Sequence, residues 1–310
     1  MSLAFHLVLS GERSPSDAAE HDWAVVFPSL RGRLLSFMTA PEGGWRILDF
    51  GCGYHAPLVQ LWAESGHDIQ GVDIEPCFFE DGRGRLFAER RKTLGLLRAM
   101  KWATVRYDWY AAYTRELRKH LPCSAKRRPL PLHSYDGAHL PFADDSFDAI
   151  YSNAVMEHVA DVSEAAAEMA RVSRSGGLID VVWHNFFSPS GGHRSPREVA
   201  RSPWGHLVGG RLGSALNRLQ PEEIVDAFSR HMKIILVQKM DAEYRVEGEE
   251  GFSPEGADLL TQAWRSRLPG LSVDTLTTRA FLLQGCVEHA ERVERNRPRP
   301  DGVCERGEGG

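Results

Sequence analysis

The sequence predicts an α/β protein built on an open, doubly wound sheet, and three observations lead there. From residue 46 onward, short apolar runs alternate with helical patterns, as parallel strands joined by crossover helices require. The first of these runs, RILDF at 46–50, empties into Gly51 and Gly53, a bend that brings backbone close to a ligand. Between two later runs, Asp161 stands three residues before Glu164 and opens a helix whose Val162, Ala165, Ala166, Met169 and Val172 share one face. A chain of 310 residues accommodates one such domain with insertions.

Taken in order, residues 1–45 are expected to be partly helical and to pack at one end of the sheet. Strands are expected at 46–50 (RILDF), 68–72 (DIQGV), 130–135 (LPLHSY), 147–152 (FDAIYS) and 177–183 (GLIDVVW). The Asp161 helix runs between the fourth and fifth of them and is closed by Gly176–Gly177. Two more strands follow at 233–239 (KIILVQK) and 279–287 (RAFLLQGCV). A helix over PEEIVDAFSRH precedes the first of these, and a helical stretch around 254–267 separates the two. The core domain is thus 46–290, with two insertions, 78–128 and 184–219, placed to cap a substrate. The first is rich in Arg, Lys, Trp and Tyr, and the second reads as an irregular loop. Residues 291–310, rich in Arg, Glu, Pro and Gly, are expected to be disordered.

Composition narrows the function. The apolar fraction of 42% and charged fraction of 25% are ordinary for a globular protein, and the net charge of −5 offers no global basic field for nucleic acid or anionic lipid. The five cysteines are scattered, with no CxxC pair and no His/Cys ligand spacing, so reduced thiols in a cytoplasmic protein are expected and no metal. LAFHLVL at 3–9 is too short and lacks the basic start of a signal peptide. No apolar run approaches the roughly 18 residues of a membrane-spanning helix.

The glycine bend raises the question of its ligand. Gly51, Gly53 and Ala56 match a dinucleotide fingerprint only loosely. Asp49, just before the bend, would repel a pyrophosphate and attract an ammonium or sulfonium at close range. Asp73, about 20 residues beyond the turn at the end of the second strand, can accept both hydroxyls of a ribose. Asp136, after the third strand, is placed to accept from an adenine amino group.

LDFGCG, GVDIEP, YDGAHLPFADDSFDAIYSNAVMEHV and EMARVSRSGG, in that order, resemble the class I S-adenosylmethionine-dependent methyltransferases, in the branch of quinone-biosynthesis and small-molecule enzymes. The resemblance covers roughly residues 45–185. It implies a Rossmann-like sheet with an antiparallel last strand and S-adenosyl-L-methionine as methyl donor. It further implies that Asp49, Gly51, Cys52 and Gly53 hold the methionine part of the donor. Asp73 would hold the ribose, Ile74 would lie against the adenine, Asp136 and Gly137 would meet it, and Asn153 would lie beside the sulfonium. His55 stands where the family often has a third glycine.

The acceptor is expected to be a small molecule rather than RNA or protein, since SNAV replaces the NPPY- or DPPY-like tetrad after the fourth strand. A hydroxyl acceptor needs a base, for which His158, His184 and His193 are the candidates in that order. The loop FFSPSGGH resembles those of methyltransferases acting on sugars and secondary metabolites, so O-methylation of a natural-product or glycan-like hydroxyl is expected. A carboxylate acceptor would need no base and would use cations such as Arg106 and Arg194; a carbon nucleophile is a further option. A non-catalytic, partner-binding member of the fold is the alternative. Trp109, Tyr110 and Tyr113 form either a wall over the substrate or a core stripe.

Overall fold

The computed structural model describes residues 13–37, 44–53, 56–63, 65–74, 84, 87–88, 91–92, 95–101, 103, 107–121, 130–135 and 137–289. Seven strands form one sheet: β1 (Arg46–Phe50), β2 (Asp68–Asp73), β3 (Leu132–Ser134), β4 (Phe147–Asn153), β5 (Ser173–His184), β6 (Lys233–Met240) and β7 (Ala280–Cys286). Their spatial order is β3-β2-β1-β4-β5-β7-β6. β1 to β5 pair in parallel, and β7 runs antiparallel between β5 and β6. The strand order reverses between β1 and β4, so the crevice beyond their carboxyl ends is the natural ligand position.

Side chains of alternating parity bury both faces of the sheet. Leu48, Phe50, Ile150, Ile179 and Val181 pack with Met169 and Phe228 from helices Val162–Val172 and Pro221–Ser229. Ile47, Ala149, Tyr151 and Leu178 face the other way and pack with Leu30, Leu34, Trp62 and Leu117. Three helices supply that second layer, Phe27–Phe37, Pro57–Trp62 and Tyr107–Leu117. The N-terminal segment therefore contributes to the core on one face of the sheet rather than forming an end piece. Arg33 fastens it to the sheet through a two-pronged ion pair with Asp180 on β5, both contacts at 2.9 Å.

Two expectations need correction. Helix Val162–Val172 does start at Asp161, whose side chain accepts the Glu164 N–H at 2.9 Å, but it stops before Gly176. β5 begins at once at Ser173, and a register shift within its pairing to β4 takes up the residues around Gly176 and Gly177. The stretch 184–219 is not irregular throughout. It contains helix Pro196–Arg201, opened by a reciprocal capping box between Ser195 and Glu198, and a 3-10 turn, Gly205–Val208. The stretch is pinned down: Asn185 donates to the carbonyls of Thr275 and Thr278, and the buried Trp204 indole donates to Leu276. Trp109 stacks on Tyr113, and the Tyr113 hydroxyl binds Asp22, so this aromatic group serves the core. Tail residues 291–310, His55, Arg106 and Asp136 lie outside the described residues. Among the described residues, no helix is long and apolar enough to cross a membrane.

Candidate functional site

The bend after β1 is built from sequence upward. Gly51 and Gly53 take φ of +78° and +76°, left-handed backbone that a side chain disfavours, and Ala56 follows with φ +44° at the start of helix Pro57–Trp62. A Cβ at Gly51 would strike Val155, which follows β4. A Cβ at Gly53 would meet nothing within 4 Å, so the bend opens on free space. Gly51 and Cys52 donate their N–H groups to Val72, and the Gly53 N–H donates to Asp73 Oδ2 at 3.0 Å. The ends of β1 and β2 are thereby tied together.

Asp49 lies below that bend, only 2% exposed. Burial pushes its pKa up to about 8; the Tyr151 hydroxyl on β4 pulls it back, and the nearby charge of Asp73 adds to the rise. The two side chains are not in hydrogen-bonding geometry, and Asp49 Oδ2 has no partner. A buried carboxyl group with one oxygen unpartnered, beside a second carboxylate, gains by ionising next to a cation and disfavours a phosphate. Ile74, 71% exposed, offers an apolar face just past Asp73. The residues thus fit a donor that carries a positive charge, a ribose diol and an adenine ring.

The other expected positions are placed as follows. The Cys52 thiol is buried in the core beside Gly53 O, and burial pushes its pKa up, so only its backbone faces the bend. Gly137 adopts φ +92° with open space where a Cβ would stand. Asn153 closes β4 near the half-buried Tyr244 hydroxyl. Arg194 is engaged by the carbonyls of Ser202 and Pro203 and is not a free cation for an acceptor.

A second group converges beyond β4 and β5. Glu157, 3% exposed, sits in the 3-10 turn Met156–His158, which Asn217 clamps by donating to the carbonyls of Met156, Glu157 and Val159. His184 ends β5, and its Nδ1 lies 2.8 Å from Glu157 Oε1. His193 Nε2 lies 3.8 Å from the same oxygen. His193 holds φ +50°, an uncommon value for a side-chain-bearing residue and a sign of local constraint. The constraint comes from the crossing segment: a Cβ on Gly213 would fall 1.5 Å from the His193 carbonyl oxygen, so only glycine lets the chain pass there. Ser214, the next residue, reaches His193 Nδ1 at 3.2 Å. His158 packs edge-on against the His193 ring, with centroids 4.9 Å apart, and its Nδ1 meets the Ala215 carbonyl at 2.8 Å.

All three histidines named from sequence therefore meet, although His158 is exposed and turned onto a carbonyl. Glu157, expected beside His158 either near the transferred methyl or as a helix cap, completes the group. Its signal was present, since an acid beside a histidine just past β4 has no solvent to face once the turn is buried. Burial would raise the Glu157 carboxyl, but contact with His184 and the charges of His184 and His158 hold it below the usual carboxylate range. Burial, then the His184 charge, pushes His193 down to about 4. Next to His184 a cavity of about 310 Å³ is lined by Arg13, His21, Asp241, Tyr244 and Arg279 among others.

Residues 48–181 match a family model described as a methyltransferase domain. Methyltransferase GfsG of Streptomyces halstedii is 28% identical over 140 residues, 45% of this chain and 38% of that one. An uncharacterized methyltransferase of Mycolicibacterium paratuberculosis is 47% identical over 91 residues, 26% of this chain and 35% of that one. The matched stretches thus span well under half the length of these curated relatives. A solved S-adenosylmethionine dependent methyltransferase from Mesorhizobium loti superposes with a TM-score of 0.43 at 16% identity, covering 83% of this chain and 97% of that one.

Proposed function

We propose that this chain, whose residues 48–181 match a methyltransferase-domain family model, is a class I S-adenosylmethionine-dependent methyltransferase and transfers a methyl group from that donor to a hydroxyl of a small, natural-product or glycan-like molecule. Asp49, Gly51, Gly53, Asp73 and Ile74 would hold the donor, which supplies an electrophilic methyl group when bound. The chain's own contribution is placement: an acceptor oxygen held in line with that carbon removes several kcal/mol of barrier, on the order of 7 or more in favourable cases. A neutral hydroxyl must also lose its proton, and the buried Glu157 with His184 and His193 is the group that can bring this about. That cluster is the observation that carries the reading. A carboxylate acceptor would leave it without a task. The cavity beside His184, about 310 Å³, is of the size small-molecule sites have.

Isothermal titration with S-adenosylmethionine and S-adenosylhomocysteine tests the donor half, and release of S-adenosylhomocysteine with a panel of hydroxylated acceptors tests the other. Failure to bind either compound would leave the chain without the proposed activity. Two outcomes follow from the site. Asp73→Ala removes the acceptor for the Gly53 N–H and for a ribose diol, and should weaken donor binding about tenfold or more. Donor affinity should also rise with pH. Below about 8 Asp49 holds a proton, which a bound cation must displace. Each unit of pH below that value should therefore cost up to about tenfold in affinity, levelling off above it. The same titration in buffers of different ionisation enthalpy should register proton release, and a flat profile would remove Asp49 from contact with donor charge.

A further inference from the structure

Glu157, His184 and His193 each offer one possible ligand atom, and these three atoms lie within 4.8 Å of one another. We propose that they bind a first-row divalent transition ion, a two-histidine, one-carboxylate site that holds and acidifies the acceptor hydroxyl. Cysteine and histidine spacing carries no hint of it, because the three ligands come from the turn after β4, the end of β5 and the loop beyond.

The distances bracket those expected between two ligands of one ion. Two ligand atoms bound at about 2.1 Å to one ion lie roughly 3.0 Å apart at a right angle and about 3.4 Å apart in a tetrahedron. His184 Nδ1 and His193 Nε2 stand 2.8 and 3.8 Å from Glu157 Oε1. Despite that closeness, both Glu157 oxygens, His184 Nδ1 and His193 Nε2 are buried without a hydrogen bond in proper geometry. Four buried polar atoms left so would be costly, and a cation between them satisfies all three residues at once.

The outer contacts are those of a ligand set. With its proton on Nδ1, donating to Ser214 Oγ at 3.2 Å, His193 turns the Nε2 lone pair toward Glu157. The Asn217 clamp holds the Glu157 turn, and Gly213 allows Ser214 its approach. Two imidazoles and a carboxylate suit zinc, manganese, iron or cobalt better than calcium or magnesium, which favour oxygen alone. Three protein ligands leave positions for an acceptor oxygen. A hydroxyl bound there gives up its proton to solvent more readily, and its oxygen then forms the bond to the donor's methyl carbon as the carbon–sulfur bond breaks. The role in methyl transfer rests on the function proposed above; the binding of the ion does not.

The untagged chain, stripped with chelator, should take up one Zn²⁺ per molecule in calorimetry, and Co²⁺ should give a visible ligand-field band. Glu157→Gln and His184→Ala should each weaken Zn²⁺ binding at least about 100-fold, and Ser214→Ala about 10–100-fold. S-adenosylhomocysteine binding by the variants serves as the check on folding. Ion uptake no tighter than that of folded His184→Ala would overturn the proposal. So would full turnover in chelator, or a Glu157→Gln variant that loses turnover while the native chain binds no ion; in the last case the function stands and the ion falls. Stoichiometric binding by a chain that methylates no hydroxyl would support the ion and sink the function.

Discussion

Glu157→Gln is expected to lower the rate of methyl transfer roughly 10²–10⁴-fold while changing donor affinity by no more than about twofold. The substitution keeps the shape of a side chain that is 3% exposed, so the turn at Met156–His158 and its Asn217 clamp should survive. What disappears is the one carboxylate that faces both His184 and His193. Without it the imidazoles lose the group that orients them, and a developing positive charge in the cluster loses its counter-charge. The donor site proposed above lies at the ends of β1 and β2 and does not include Glu157. Turnover and donor dissociation constant measured on the same preparations separate the two effects. A variant that retains its turnover would show that the cluster supports the fold and not the reaction. A parallel loss in donor binding would point to a distorted crevice.

The donor side of the crevice was legible in the sequence because its chemistry is local. Asp49, Gly51 and Gly53 lie within five residues, and Asp73 closes the next strand, so strand pairing alone brings them together. The central strands were legible for a related reason: β1, β4 and β5 are buried on both faces and read as short apolar runs, whereas β6 at the sheet edge is exposed at alternate residues. The antiparallel β7 was expected from family resemblance and not from its own residues, since period-2 burial is the same in either direction. The acceptor side was only half legible. His184 and His193 stood out as residues able to accept a proton, but Glu157 acquires its role only when a turn, a strand end and a loop fold onto one point. The capping box at Ser195 and Glu198 was in plain view, yet the surrounding Gly, Pro and Ser read as loop. Within the N-terminal segment, no local motif marks Arg33 as the partner of a buried carboxylate. Its partner is 147 residues away.

That distant pair carries the largest expected effect on stability. Arg33→Ala should destabilise the chain by about 3–5 kcal/mol, the range for removing one partner of a buried ion pair. Asp180 is 1% exposed and takes three hydrogen bonds, two from the Arg33 guanidinium and one from Gln284 at 2.8 Å. Burial opposes the charge on Arg33, but Asp180 outweighs it and holds the guanidinium above its ordinary range. Without Arg33 the carboxylate keeps a single neutral donor in the interior. For a domain of this size the loss corresponds to a fall in melting temperature on the order of 10 °C. Arg33→Ala combined with Asp180→Asn should be less destabilised than Arg33→Ala alone, because the stranded charge is gone. Calorimetric or circular-dichroism melts of the two variants decide this, and a single variant melting within about 2 °C of the native chain would contradict it. The consequence reaches the acceptor side. Ser29, on the same helix, holds both Arg33 and the Tyr244 carbonyl, and Tyr244 lines the cavity beside His184. Loosening helix Phe27–Phe37 from β5 should therefore weaken acceptor binding before it affects the donor bend on β1.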